Sequence, residues 1–169
     1  MAKIIEKIFG GSKAEKDMKA ITPYVEKIRK EFEVITKLSN DELRAQTLEF
    51  RNIIHSAVKD KETRVAELKE RLDNEYDMPV DQKQEMYKEI EKLDKEIYEE
   101  TQKILGEILP KAFAVVKDTA RRFKENEEIL VTASENDKDI AAKHDHVIIK
   151  GSDAIWKNNW MAGGNRITW

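Results

Sequence analysis

The sequence contains no cysteine, and it is also poor in glycine, proline and aromatic residues. Without cysteine the chain can form no disulfide, no thiolate nucleophile and no cysteine-based metal site. Six glycines and three prolines among 169 residues allow long unbroken helices and argue against an all-β fold. Aromatic residues make up 7% of the chain and charged residues 38%, so a helix-rich protein with a thin core is expected.

Long apolar runs and an excess of one charge are missing as well. No apolar run approaches the roughly 18 residues that a membrane span requires. Glu6 and Lys7 interrupt the apolar stretch near the start, which argues against a signal peptide. The 31 basic and 34 acidic residues leave a net charge of −3, so nothing in the overall charge indicates a nucleic-acid partner.

Residues 1–10 form a short amphipathic segment. Its apolar residues share one helical face, and its charged residues share the other: Ile4, Ile5, Ile8 and Phe9 against Lys3, Glu6 and Lys7. Residues 1–30 carry eight basic residues against four acidic ones. A basic amphipathic helix binds the interface of an anionic membrane. Alternatively, the four apolar residues dock on the protein's own core, and both interpretations stay open here.

Helix signals follow this segment. Gly10-Gly11-Ser12-Lys13 predicts a break in the helix, and it lacks the spacing and the preceding strand of a phosphate loop. Thr22-Pro23 predicts a new helix start. The apolar residues around it have helical spacing and are expected to pack in the core: Ile21, Tyr24, Val25, Ile28, Phe32 and Ile35.

The clearest helix start lies at Ser39. Ser39 can cap a helix while Glu42, three residues later, reaches back to the cap, which is the pattern of a capping box. Leu43, Phe50 and Ile54 then fall on one helical face. On physical grounds this is a well-capped amphipathic helix.

Residues 59–107 are densely charged and carry two narrow apolar stripes. Asp77-Met78-Pro79 separates the stripes, which are Val65, Leu68 and Leu72, and then Met86, Ile90, Leu93, Ile97 and Ile104. This pattern predicts a long antiparallel helical hairpin at about 60–107, close to a coiled coil. It is either a solvated structural spike or an arm that binds a partner.

The last third of the chain changes character. Leu109-Pro110 predicts a helix start, after which Phe113, Val116, Ala120 and Phe123 are spaced to face a core. Arg121-Arg122 is interpreted as a solvated helix end, with a phosphate contact as the alternative. Two short β-branched runs, 129–131 and 147–149, predict strands. All three tryptophans follow and are interpreted as a packing patch.

No segment predicts an active site. His144-Asp145-His146 is the one concentrated group of potential metal ligands, and the sequence offers no third ligand near it. No nucleophile motif, dinucleotide-binding glycine motif or zinc-binding helix is found. We therefore predict no catalytic, cofactor-binding or metal-binding residue in this chain.

Two segments resemble a known family. LSNDELRAQTLEFR at 38–51 and ILPKAFAVVKDTARRF at 108–123 are similar, in the same order, to N-terminal segments of the SecA family, the ATPase motors of bacterial protein export. The resemblance covers roughly 1–58 and 108–123. It implies that 1–58 are amphipathic and scaffold helices and that 108–123 is a scaffold helix of the first nucleotide-binding domain. It also implies that 59–107 is an inserted hairpin and that 124–169 is an inserted or truncated segment.

The resemblance implies a RecA-like α/β motor as the parent protein. Such a parent binds ATP and Mg²⁺ and drives unfolded preproteins through the SecYEG channel. Its phosphate loop lies outside this chain, so the chain alone is expected to be inactive. The fold expected for the chain itself is mainly α, with a helical N-terminal region, the hairpin and a short α/β C-terminal piece.

The resemblance also implies a location and partners. The N-terminal residues would contact the channel and anionic phospholipids through an apolar wedge and nearby lysines: Lys3, Ile4, Ile5, Lys7, Ile8, Phe9, Lys13 and Lys16. The expected location is cytoplasmic, peripheral on the cytoplasmic face of the bacterial inner membrane. No nucleic-acid partner is expected, and a homodimer stays open. The alternative function is a non-enzymatic helical adaptor that acts through the 60–107 hairpin.

Overall fold

A computed structural model describes residues 12–169, in which three long helices precede a small β region. Helix α1 spans Lys13–Ile35, α2 spans Asn40–Asn74 and α3 spans Val80–Glu125. Strand β1 (Glu128–Thr132), helix α4 (Glu135–Ala141) and strands β2 (Val147–Lys150), β3 (Asp153–Lys157), β4 (Asn159–Ala162) and β5 (Asn165–Thr168) follow. The prediction of a mainly α protein is confirmed. No helix among residues 12–169 is long and apolar enough to cross a membrane.

Helix α1 begins at a capping box and continues through its proline. The Glu15 backbone N–H donates to Ser12 Oγ at 3.3 Å, and the Ser12 N–H donates to Glu15 Oε2 at 3.1 Å. The predicted start at Thr22-Pro23 is wrong, because Pro23 lies inside the helix. Thr22 Oγ1 donates to the Met18 carbonyl at 2.7 Å, and the chain around Pro23 is exposed, so water can reach the carbonyl that the proline leaves without a donor.

Helix α2 begins as predicted. The Ser39 N–H donates to Glu42 Oε2 at 2.7 Å, and the Glu42 N–H donates to Ser39 Oγ at 3.2 Å, which completes the capping box. These bonds lower the pKa of the Glu42 carboxyl, since they favour its charged form. Leu43, one turn further on, is buried and anchors the helix.

Both long helices run across the segment boundaries predicted at 58/59 and 107/108. Helix α2 has no break near residue 58, and α3 continues through Pro110, so the predicted start at Leu109-Pro110 is wrong. In a helix, the proline ring clashes with the backbone carbonyl of the residue four positions earlier, and for Pro110 that residue is Gly106. A glycine there gives the backbone freedom to accommodate the ring without ending the helix.

The chain divides into two compact units. The second unit, residues 45–109, comprises most of α2 and the first two thirds of α3, and we call it the arm. Its core consists of Val65, Leu68 and Ile90, with partly buried side chains packed around them: Leu72, Met86, Leu93 and Ile97. The Lys61 ammonium lies 2.6 Å from Glu100 Oε2, and Arg64 Nε lies 2.8 Å from Glu89 Oε1. Apolar and ionic contacts thus both join α2 to α3 within the arm.

The first unit contains the described residues up to Arg44 together with Pro110–Trp169. Its three-stranded antiparallel sheet has the order β1-β3-β2, and β4 and β5 form a separate hairpin. The predicted strands at 129–131 and 147–149 are confirmed as β1 and β2, although β3 lies between them. Ile129, Val131 and Ala154 form the core of the sheet. Gly163 and Gly164 make the β4–β5 turn with positive φ values of 56° and 80°.

The polar stretch between the two predicted strands contains a short helix, α4. Ser134 caps α4, and the side chain of Asp137 accepts from the Ser134 N–H at 2.7 Å. A serine followed three residues later by an aspartate is a capping pattern, so this helix start was readable in the sequence.

Candidate functional site

The predicted membrane-contact residues lie at the start of the chain. Six of them are outside the described residues: Lys3, Ile4, Ile5, Lys7, Ile8 and Phe9. The other two, Lys13 and Lys16, lie in the first turns of α1, and both are exposed. Both of these lysines are therefore free of the protein core and open to solvent.

The apolar stripe of α1 is buried only at its C-terminal end. Ile35 is fully buried and Phe32 is partly buried, with the Lys117 ammonium 4.1 Å from its ring centroid. Toward the N-terminus the exposed fraction rises, reaching 53% at Ile21 and 64% at Met18. The prediction that the whole stripe packs in the core is wrong for this half, because α1 extends beyond the residues that bury Ile35. The end that carries Lys13 and Lys16 therefore also carries an exposed apolar face.

A buried charge network joins the start of α2 to the last turns of α3. Arg122, which is 9% exposed, donates to Asp118 Oδ2 at 2.8 Å, to Asn40 Oδ1 at 2.6 Å and to the Leu38 carbonyl at 2.6 Å. Asp118 is fully buried and also accepts from Arg121 Nε at 2.8 Å. The interpretation of Arg121-Arg122 as a solvated helix end is wrong, because both guanidinium groups are paired with Asp118.

The first turn of α2 covers one edge of the sheet. Asn40 Nδ2 donates to the Leu130 carbonyl at 3.0 Å, and the Thr132 N–H donates to Asp41 Oδ1 at 2.9 Å. Arg44 donates to the Thr132 carbonyl at 3.3 Å. These three side chains satisfy backbone groups of β1 that another strand would otherwise pair with, which protects the edge from unwanted pairing.

Asp137 is the meeting point of three elements. Its buried carboxylate accepts from Arg44 of α2 at 2.6 Å, from the Ser134 N–H at 2.7 Å and from Trp156 Nε1 of β3 at 3.1 Å. Burial alone raises the pKa of Asp137, but the hydrogen bonds from Ser134 and Arg44 outweigh burial and hold the pKa below its ordinary value. Asp137 is therefore a charged structural group at neutral pH.

Two carboxylates that the charge pattern of the sequence does not single out are buried and paired. Asp118 and Asp137 are both fully buried, and each is neutralised by arginine. Because their oxygens already accept several hydrogen bonds, they hold the fold together and offer no free acid or base. Sequence reasoning missed them because dense charge runs hide which carboxylates face inward.

The histidine pair is close in space but incomplete as a metal site. The rings of His144 and His146 lie 5.4 Å apart, and His146 meets Trp156 edge-on at 6.0 Å. Within residues 12–169 no group of three or more histidine or carboxylate side chains is arranged to hold a metal ion.

The helix after Pro110 buries a different face from the one predicted. Phe113 and Val116 are 54% and 68% exposed, whereas Ala114 and Val115 are buried. Asp118 shares the face of Ala114 and Val115 and pairs with Arg122 of the same helix. Arg122 in turn donates to Asn40 and to the Leu38 carbonyl, and these bonds to another segment fix which side of α3 turns inward. Phe123 is only partly buried, and it stacks on Trp169 at 5.7 Å.

Comparisons with known proteins extend the similarity over nearly the whole chain. Residues 5–134 match the family model of the SecA DEAD-like domain. A protein translocase subunit SecA from Flavobacterium psychrophilum is 45% identical over 165 residues, which is 98% of this chain and 15% of that protein. Its counterpart from Phocaeicola vulgatus is 44% identical over 166 residues, again 98% of this chain and 15% of that protein. No solved structure matches the chain.

The similarity is thus wider than the two segments at 38–51 and 108–123. The family model includes the arm, and these relatives also align with nearly all of the C-terminal β region. The chain spans about 15% of the length of these curated relatives. Since the family model covers well over half of the chain, the chain belongs to the SecA family through its DEAD-like domain.

Proposed function

We propose that this chain is the N-terminal part of a SecA-type protein translocase subunit. Its parent couples hydrolysis of ATP, bound with Mg²⁺, to the export of unfolded preproteins through the SecYEG channel. The proposal is supported by the family match and by relatives that are named protein translocase subunit SecA. The chain is a small fraction of such a protein, so the ATP chemistry belongs to residues outside it, and this part serves as scaffold and contact surface.

The contact role falls on the N-terminal lysines and apolar residues. The observation that carries it is the exposed apolar face of α1, at the same end as exposed Lys13 and Lys16. Together with the wedge at Ile4, Ile5, Ile8 and Phe9, this end presents apolar and basic groups at the cytoplasmic face of the inner membrane. Each basic residue near an anionic surface contributes about 1 kcal/mol, so four lysines favour membrane binding by on the order of a thousandfold.

Binding of the 169-residue chain to lipid vesicles tests this role. We expect the wild type to sediment with vesicles rich in phosphatidylglycerol and not with vesicles of phosphatidylcholine alone. Lys3→Glu with Lys7→Glu should abolish this binding, since two attractive charges become repulsive. The matched control is Lys92→Glu with Lys95→Glu on the arm, where both side chains are 77% exposed. Unchanged binding of the N-terminal variant would rule out the contact role.

The motor assignment has a separate test. The reading frame that continues beyond Trp169 in the source gene should encode a glycine-rich phosphate loop within a few tens of residues. A helical adaptor acting through residues 60–107 needs no such loop. The presence of the phosphate loop supports the translocase proposal. A stop codon directly after Trp169 contradicts that proposal and favours the adaptor.

A further inference from the structure

The arm carries an exposed apolar line that faces away from its own core. Val80, Tyr87, Tyr98 and Leu105 of α3 are 80%, 61%, 64% and 38% exposed. They are separated by 7, 11 and 7 residues, so at 100° per residue they fall within about 20° of one another around the helix. The line extends for about 37 Å at 1.5 Å per residue. We call these four residues the outer stripe.

The outer stripe is distinct from the face that holds the arm together. The arm core uses Ile90, Leu93 and Ile97, which lie about 60° to 140° around α3 from the outer stripe, all on the same side of it. Tyr87 and Tyr98 are not among the residues that form that core or pack against it. Tyrosine is among the residues that most often anchor protein–protein interfaces, because it combines a large apolar ring with a hydrogen-bonding hydroxyl.

Two acidic side chains interrupt the outer stripe at its centre. Glu91 and Asp94 lie between Tyr87 and Tyr98, within about 30° of the same line, and both are exposed. Neither forms an ion pair with another of residues 12–169, whereas their neighbours Lys92 and Lys95 pair with glutamates one turn further along. The arm as a whole has 17 acidic residues against 11 basic ones, a net charge of −6.

We propose that the outer stripe is a docking site for a basic amphipathic polypeptide segment. Such a segment places apolar side chains against Tyr87 and Tyr98, and a lysine or arginine between them against Glu91 and Asp94. This assignment goes beyond the membrane and channel role of the N-terminus and does not depend on it. Burial of the two tyrosines supplies affinity, and the central charges select basic partners.

The same charges disfavour the other occupants. An antiparallel second copy would set Glu91 against Asp94, and a parallel copy would set Asp94 against Asp94, so like charges meet at the centre in both cases. Nucleic acid and anionic lipid surfaces are repelled by the net negative charge of the arm. A basic polypeptide is the partner that matches the shape of the stripe and its charge.

Two synthetic helix-forming peptides of 18 residues provide the probe. Both carry leucines along one face, and the face is interrupted at its centre by two lysines in one peptide and by two glutamates in the other. We expect the full chain to bind the lysine peptide in fluorescence anisotropy and to bind the glutamate peptide roughly tenfold or more weakly. The double variant Tyr87→Ala with Tyr98→Ala should bind the lysine peptide more weakly than the wild type, by a similar factor. The control Tyr76→Ala, at a site 85% exposed and off the stripe, should leave binding unchanged.

A charge reversal separates this site from general attraction to an acidic protein. Glu91→Lys with Asp94→Lys should reverse the preference, so that the glutamate peptide binds more tightly. Glu70→Lys with Asp73→Lys makes the same change in net charge on α2 and should preserve the original preference. Equal binding of the two peptides by the wild type, equal effects of the two charge variants, or absence of binding would each overturn the proposal. All these substitutions are at exposed positions, and circular dichroism verifies that each variant keeps its helices.

Discussion

Asp137 links three elements through one carboxylate. Arg44 from α2, the Ser134 N–H at the start of α4 and the Trp156 indole of β3 all donate to it. A buried carboxylate that loses such partners pays the full cost of its own desolvation, while donors that lose the carboxylate are left unsatisfied. The residue therefore controls how the first turn of α2 attaches to the sheet.

The substitution Asp137→Asn tests whether the Asp137 carboxylate holds the first turn of α2 to the sheet. The amide keeps the size of the side chain but removes the charge that pairs with Arg44, and its NH₂ group would oppose the Ser134 N–H or the guanidinium. We expect the free energy of unfolding at pH 7 to fall by about 2 kcal/mol, measured by urea denaturation. Glu135→Gln removes the same charge from an 88% exposed side chain on the same helix and should change little.

The pH dependence of this effect has a definite sign. Because the pKa of folded Asp137 lies below its ordinary value, the carboxylate stabilises the fold above about pH 4 and loses that contribution as the pH falls through the folded value. The difference in unfolding free energy between wild type and Asp137→Asn should therefore shrink toward pH 3. A difference that stays constant from pH 7 to pH 3 would show that the charge is not what stabilises this site.

At the scale of elements, a capping signal predicted one helix start correctly and β-branched runs predicted two strands. The Ser39 and Glu42 pair predicted the first turn of α2 because capping depends on residues three positions apart. The β-branched runs of β1 and β2 predicted strands, but β3 between them was missed. Its central place depends on pairing with β2, which directly precedes it, and also with β1, which is distant in the sequence.

Proline positions were the main source of error for helix boundaries. Pro23 and Pro110 both lie inside helices, whereas their residue type alone predicted helix starts. The sequence pattern also gave the wrong buried face for the C-terminal part of α3. Phe113 and Val116 have core-like spacing, but the face that is buried carries Asp118 and Arg122. Such polar anchors need partners from distant segments, so the sequence pattern alone does not reveal them.

Pro110→Ala measures what the proline costs α3. An interior proline disfavours a helix by about 3 kcal/mol, and its removal gives the unfolded chain freedom worth up to about 1 kcal/mol. We expect the unfolding free energy to rise by about 2 kcal/mol. Gly106→Ala should add up to about 1 kcal/mol in that variant and less in the wild type, where the ring is still present. Destabilisation by Pro110→Ala would mean that packing depends on a bend at this site.

At the scale of the whole molecule, two cores share two continuous helices. The arm is centred on Val65, Leu68 and Ile90, and the first unit on Ile129, Val131 and Ala154. Helices α2 and α3 each contribute residues to both units. A substitution that destabilises one core affects the other only if unfolding propagates along the shared helices. Small separate cores favour local unfolding of each unit.

Reciprocal core substitutions measure this coupling. Leu68→Ala removes a side chain that is 1% exposed in the arm, and Ile129→Ala removes one that is 9% exposed in the sheet, each at a cost of about 2–5 kcal/mol. We expect Leu68→Ala to accelerate amide hydrogen exchange at 61–100 and to leave β1 and β3 protected, because the sheet keeps its own core. Ile129→Ala should do the reverse. If each substitution accelerated exchange in both units equally, α2 and α3 would make the chain a single cooperative unit.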